Sequence, residues 1–186
     1  MGTLAILAFL WFNGVSPVTL SVSRDADPVV GVAVDMLQDD LEEVTGLRPR
    51  DLRRSDAAVR IIQYDKERTS LRRLGVPAEI ADSLSFVKEA FYIGTCGRQI
   101  VVVGSDGRGA AYGALELSRL AGVSPWIWWG DSRPEKRDRL ELPEGFSTFQ
   151  HPSVEYRGFF LNDEDWAFRP WSTQTFSPQE NPETIS

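Results

Sequence analysis

"QIVVVGSDGRGAAYGALELSRLAG", Gln99 to Gly122, decides the fold. Its first six residues are the most apolar and β-branched run in the chain, and such a run predicts a central strand. A helix follows from about 107 to 121, capped by Ser105 or Asp106 and closed by Gly122. The glycines between strand and helix invite a nucleotide reading, because a pyrophosphate sits at such a turn in dinucleotide-binding domains. The spacing fails: from Gly107 it runs G-x-G-x-x-x-G, with the third glycine one place late at Gly113, and no lysine and serine pair follows as a P-loop requires. Gly109 and Gly113 instead lie one helical turn apart, which predicts close packing of this helix on the sheet. Arg108 is expected to pair locally with an acid.

Working outward, Pro17 to Val22 reads as a strand, and Val30, Val34, Leu37, Leu41 and Val44 then recur at helical spacing. That helix spans about 28 to 45, with Asp27 as N-cap, Pro28 in the first turn and Gly46 as C-cap. Asp39, Asp40, Glu42 and Glu43 form its solvated face. Ala57 to Tyr64 is a second strand, 65–82 a charged loop with a short helix, and "SFVKEAFYIG" (Ser85 to Gly94) alternates as a half-exposed strand would. Downstream, "WIWWGD" reads as an extended segment with Trp128 and Trp129 on opposite sides. A connector with one short strand follows. Together these give an α+β fold, a small mixed β-sheet with two helices packed on it. The composition shifts near 134–152, so residues 1–150 form one domain and 151–186 begin another.

The chain has 186 residues, 42% hydrophobic and 25% charged, ordinary for a soluble globular protein with one core and the start of a second. A net charge of −7 and a pI near 4.8 exclude nucleic acid as a partner. One cysteine, Cys96, and one histidine, His151, exclude an internal disulfide and any cysteine or histidine metal cluster, so neither metal nor cofactor is expected. Cys96 reads as a small buried hydrophobe. The apolar run Leu4 to Phe12 is too short to span a bilayer, so no membrane partner is expected; it lacks the basic flank and small-residue cleavage site of a good signal peptide, and reads as a first buried strand or an interface segment, with a signal peptide the lesser alternative. Trp126, Trp128, Trp129, Trp166 and Trp171 all fall in the last third, which suggests a sugar-facing or partner-facing end.

In "VEYRGFFLNDED" a strand-like run ends in Asn162, Asp163, Glu164 and Asp165, and the chemistry of strand-and-helix barrels sits at the C-terminal ends of strands. At about 3.3 Å per residue, Asp163 and Asp165 share one side roughly 6 to 7 Å apart while Glu164 points away. Two readings stand side by side here: an active-site rim, or a solvated loop after a strand.

The order "LQDDLEEVTG", "GSDGRGAAYGALELSRLAGVSPWIWWGD", "PSVEYRGFFLNDEDW" and "PWSTQTFSP" resembles the N-terminal part of glycoside hydrolase family 115, the xylan α-1,2-glucuronidases. The resemblance implies a small α+β domain over 1–150, and over 151–186 the start of a (β/α)8 barrel. In that family the barrel removes glucuronic acid or its 4-O-methyl ether from xylan with inversion. Tyr156 to Asn162 would be the first barrel strand. Asp163 would be the candidate catalytic group, with Asn162, Glu164 and Trp166 as candidate substrate-binding residues. A barrel needs about 250 residues, and 24 follow Asn162. The chain would therefore hold at most one of the two carboxylates that inversion places roughly 6.5 to 9.5 Å apart, and would not act alone. Glucuronoxylan or a related polysaccharide is the implied partner of the complete enzyme. Self-association through the exposed barrel strand and a secreted or periplasmic setting are further expectations. The alternative function is a non-catalytic carbohydrate-binding or assembly module.

Overall fold

The β-branched run at 99–104 does become a central strand, and the sheet is assembled around it. The computed structural model describes residues 8–52, 56–130, 132–158, 160 and 169–172, the side chains at 128 and 129 excepted. In chain order the elements are β1 (Ala8–Phe12), β2 (Thr19–Val22), α1 (Pro28–Thr45), β3 (Arg50–Asp51) and β4 (Val59–Gln63). A 3-10 turn (Leu71–Leu74) then leads to α2 (Ala78–Phe86), β5 (Phe91–Cys96), β6 (Gln99–Gly104), α3 (Gly107–Ala121), the short α4 (Ile127–Gly130), β7 (Leu140–Pro143) and β8 (Ser147–Gln150). Six strands form one mixed sheet in the order β3-β2-β4-β6-β5-β8; β1 and β7 pair separately and antiparallel. Strands β2, β3, β4 and β6 run parallel, and β5 lies antiparallel to both β6 and β8.

Both faces of this sheet are covered. On one, α1 and α3 bury Leu20, Ile61, Ile93 and Val102 against Leu37 and Leu117. On the other, Ile62, Tyr92, Val101 and Val103 pack under Leu71, Leu74 and Leu84. The two helices predicted on the sheet are thus joined by a second cover, which the sequence presents as a charged loop with a short helix. Its apolar residues are too sparse to announce a layer. Burial on both sides explains why Ile100 to Val103 have no accessible surface and why their sequence carries no alternation.

Helix α1 matches its predicted span, closing on Gly46 at φ 77°. Helix α3 matches too: Asp106 is its cap, the Oδ1 atom accepting the Gly109 N–H at 2.8 Å, and Gly122 ends it at φ 103°. Ser105, the other candidate cap, instead accepts the Ala90 N–H at 3.0 Å. Two expectations are corrected. Ser85 and Phe86 end α2 rather than opening a strand, and β5 starts only at Phe91. Between them Glu89 takes φ 57°, its N–H held by Asp106 Oδ2 at 2.8 Å, so the alternation spans a turn. The tryptophan segment is not extended: the Gly130 N–H bonds the Trp126 carbonyl at 2.7 Å, closing a helical turn. Cys96 is only half-buried.

The chain divides into two units, Met1–Pro152 and Ser153–Ser186, and every element named above belongs to the first. In the second, Arg157 Nη1 donates to the carbonyls of Val154 and Glu155 at 2.8 and 3.2 Å. Residues 169–172 make one helical turn, with the Ser172 hydroxyl on the Arg169 carbonyl at 2.9 Å. Of the predicted barrel strand, Tyr156, Arg157, Gly158 and Phe160 pair with no other strand among the described residues, and Asn162 lies outside them.

The closeness of α3 to the sheet is measurable as the space a methyl group would need. A Cβ at Gly109 would stand 2.2 Å from the Ala90 carbonyl oxygen, whereas one at Gly31 in α1 would meet nothing within 4 Å. Gly109→Ala is therefore expected to destabilise by about 1–3 kcal/mol or more through overpacking against backbone. Gly31→Ala is expected to stabilise by about 0.5–1 kcal/mol through helix propensity. Urea denaturation of the two variants checks the opposite signs.

Candidate functional site

The C-terminal ends of the parallel strands are where open α/β sheets hold ligands, and here they are closed by the protein's own polar groups. Gln63, at the end of β4, has no accessible surface. Its Oε1 accepts the Asp27 N–H at 2.7 Å, and its Nε2 donates to Asp27 Oδ2 at 2.8 Å and Asp65 Oδ1 at 2.9 Å. The Ser23 hydroxyl donates to Glu67 Oε2 at 2.7 Å and accepts the Gln63 N–H at 3.1 Å; Arg60 pairs with Glu67 at 2.7 Å. Asp27 sits before α1 as predicted but makes no side-chain cap. Its carboxylate is directed at Gln63 and at Lys66, 3.3 Å away. The Gln63 amide first, and Lys66 second, hold the Asp27 carboxyl below its usual range.

The glycines that suggested a phosphate site prove to be packing residues. A Cβ at Gly113 would stand 2.5 Å from Val102 Cγ1, and one at Gly107 would stand 2.8 Å from Asp27 Oδ2. Arg108 pairs with Glu89 at 3.0 Å, the local acid anticipated from sequence. The nucleotide-binding reading is left without support.

An open space lies elsewhere in the first unit. A groove of about 390 Å³ runs between α1 and α3 to the 123–127 segment and the end of β8. Its walls are mainly apolar, with Phe91, Tyr112, Val123 and Ile127 among them, and Asp40, Glu116, Ser118, Arg119 and Gln150 add polar groups. Glu116 is clasped by Arg119 at 2.6 and 2.7 Å and approached by the Gln150 amide at 3.4 Å. The Ser118 hydroxyl is buried and, among the described residues, no hydrogen bond of good geometry reaches it. It lies near enough to the Asp40 carboxyl to favour the charged form, yet makes no bond of good geometry. Burial is the larger influence and raises the Asp40 carboxyl above its ordinary value, with Asp39 and Glu43 adding repulsion.

This revises the reading of α1's acids as one solvated face. Asp39 and Glu42 do face out and bind Arg48 at 2.6 and 2.9 Å. Glu43 pairs with Arg133 at 2.8 Å and its carbonyl accepts from Lys136, while Asp40 turns into the groove. The signal in the sequence was spacing: Met36 and Asp40, four apart, flank the Leu37 and Leu41 stripe rather than opposing it.

Asn162, Asp163, Glu164 and Trp166, the residues singled out for catalysis and substrate binding, lie outside the described residues. Among the described residues no cluster of three or more His, Cys, Asp or Glu could hold a metal ion, and no helix is long and apolar enough to cross a membrane.

Comparison with known proteins gives the class of glycoside hydrolases. Residues 149–186, the acid cluster included, match the model of glycosyl hydrolase family 115. A solved family 115 4-O-methyl-alpha-glucuronidase, with specificity for decorated arabinogalactans, is similar over 91% of this chain at 37% identity, with a TM-score of 0.79. The chain belongs to glycosyl hydrolase family 115 and spans 22% of that enzyme's length. An enzyme of family 138 targeting pectin rhamnogalacturonan II is similar over 57% of this chain and 10% of its own, at 21% identity and TM-score 0.40. A family 84 structure is similar over 57% of this chain and 18% of its own, at 15% identity and TM-score 0.41. No curated protein matches the sequence.

The strand-end knot makes a pH-dependent contribution whose sign follows from Asp27. A carboxyl held below its ordinary value stabilises the fold above the unfolded pKa, about 3.9, and that stabilisation is lost as pH falls through the lower folded value. Asp27→Asn is therefore expected to melt below the wild type at pH 6, with the gap narrowing steadily below about pH 4. Thermal unfolding across that pH range reads the gap directly.

Proposed function

We propose that this chain is the N-terminal portion of a family 115 α-glucuronidase, an α+β domain over 1–150 that leads into the first strand of a catalytic (β/α)8 barrel over 151–186. The reading rests on one observation above all. The family match begins at residue 149 and contains the acid cluster, while the likeness to a solved α-glucuronidase extends over 91% of the chain. The two matches overlap in the chain and point to the same enzyme class.

In this reading Tyr156 to Asn162 is the strand, and Asn162 and Asp163 stand at its C-terminal end, where barrel enzymes place their chemistry. The bond cleaved is the glycosidic link between a 4-O-methyl-glucuronic or glucuronic acid side group and its polysaccharide. Inversion needs one carboxylic acid to protonate the leaving oxygen and one carboxylate to activate water on the opposite face. Asp163 takes one of these roles or bonds a hydroxyl of the sugar; the second carboxylate comes from a later strand. Glu164 points to the barrel wall and supports the strand end, and Trp166 walls the site with an indole face suited to sugar C–H groups. The substrate is glucuronoxylan or a decorated arabinogalactan, the latter by analogy with the solved relative.

In an enzyme with a complete barrel carrying these residues, Asp163→Ala is expected to lower kcat/KM by about 10²-fold or more, and Glu164→Ala by less. Release of uronic acid from glucuronoxylan and from arabinogalactan, measured side by side, checks both the role and the substrate. Normal turnover by a folded Asp163→Ala enzyme would return the cluster to a solvated loop. A polypeptide limited to these 186 residues is expected to release none.

A further inference from the structure

The groove between α1 and α3 has a chemistry that the strand-end acids do not explain. We infer that it is a second carbohydrate subsite, one that takes an uncharged pyranose of the polysaccharide main chain rather than the uronic acid side group. The inference rests on the proposed polysaccharide substrate for its ligand class, and on the groove for everything else.

A pyranose presents an apolar C–H face and a rim of hydroxyls, each both donor and acceptor. A site for it needs a flat apolar wall with convergent polar groups at the edge. The groove supplies both. Tyr112 is 36% exposed and lies on the same helix as Ser118; with Phe91 and Ile127 it lines the apolar side. Trp126, 65% exposed, stands between the lining residues Pro125 and Ile127. A volume of about 390 Å³ falls within the roughly 300–1,000 Å³ of small-ligand sites.

The Ser118 hydroxyl points independently to a ligand. It is 5% exposed, lines the groove, and among the described residues makes no hydrogen bond of good geometry, Asp40 being its nearest candidate, although buried polar groups are nearly always paired. A sugar hydroxyl beside the pair could accept from Ser118, and a neighbouring hydroxyl of the same sugar could donate to the Asp40 carboxylate. Charge then selects among sugars. Arg119 is already engaged by Glu116, and Asp40 has no ion pair among the described residues, so the groove keeps a net negative charge. A carboxylate-bearing sugar is disfavoured there and a neutral one is not.

The test uses the 186-residue chain with two probes, xylohexaose and a xylo-oligosaccharide bearing one glucuronic acid, followed by amide chemical shifts. Xylohexaose at millimolar concentration is expected to shift the amides of Tyr112, Ser118 and Val123, and the uronate-bearing chain to bind no more tightly. Asp40→Asn and Tyr112→Ala, each retaining the wild-type spectrum elsewhere, are expected to weaken xylohexaose binding about fivefold or more, as loss of a charge-assisted hydrogen bond or a stacking surface should. Val32→Ser, on the exposed side of α1, is expected to leave it unchanged. Absence of shifts, shifts that ignore both groove variants, tighter binding of the charged probe, or shifts that follow protein rather than sugar concentration would each overturn the subsite. None of those results bears on Asp163, whose test is hydrolysis by the complete enzyme, so the two readings fail separately.

Discussion

A Cβ at Gly104 would stand 1.9 Å from the Ala110 nitrogen, and one at Gly109 2.2 Å from the Ala90 carbonyl oxygen. That closeness of α3 to β5 and β6 is the constraint on which the rest of the first unit depends. Backbone can meet backbone at such range only where side chains are absent, so three glycines of the quoted stretch, at 104, 109 and 113, set the height of the helix above the sheet. Asp106 then fixes its start. One carboxylate oxygen caps α3 at Gly109 and the other holds the N–H of Glu89 in its left-handed turn. The turn into β5 and the first turn of α3 are thereby tied to one side chain.

Two features follow from that placement. Because α3 lies so low, α1 packs beside it across a shared apolar face, and Gly107 comes against the Asp27 carboxylate. The strand ends beside it are occupied by the hydrogen bonds of the Gln63 knot. Toward the other end of α3 the walls are larger residues, Tyr112, Leu115 and Arg119, and the space between the helices opens into the groove. A single graded helix, small residues first and large ones later, closes one end of the layer and opens the other.

Much of this was legible in the sequence, and for a physical reason. The spans and ends of α1 and α3 follow from helical spacing and from Gly46 and Gly122, whose signals are local. The central strand follows from Ile100 to Val103, whose lack of alternation reports burial on both faces. The misread elements lacked such local signals. Ser85 to Gly94 alternates by accident across a turn that Ser105, Asp106 and Arg108, distant in sequence, hold in place. The tryptophan segment closes into a helical turn through Ser124 and Trp126, residues with little helical preference. Of the candidate site, the acids at 162–165 were legible as residue types and through family resemblance, since a barrel active site is gathered from many strands and no one strand specifies it. The groove was nearly invisible, because it needs α1 and α3 side by side before Asp40 and Ser118 become neighbours.

Two aspartates of the first unit show how placement rather than residue type decides what a carboxylate can do. Asp27 and Asp40 flank the same helix, one before its first turn and one in its middle. Asp27 is met by the Gln63 amide and by Lys66, which favour its charged form; a group already supplied with donors has little left to offer a ligand, and its role is to hold β4 to α1. Asp40 is raised by burial, and among the described residues the Ser118 hydroxyl is the neighbour that favours its charged form. A carboxyl in that condition gains more from an added donor than one already satisfied, because the donor replaces water that burial has removed. The same argument bears on Asp163 in a complete barrel. Under the proposed reading, any part it takes in acid or base chemistry would depend on which groups of later strands are brought against it, so the residue types at 162–165 name candidates and no more.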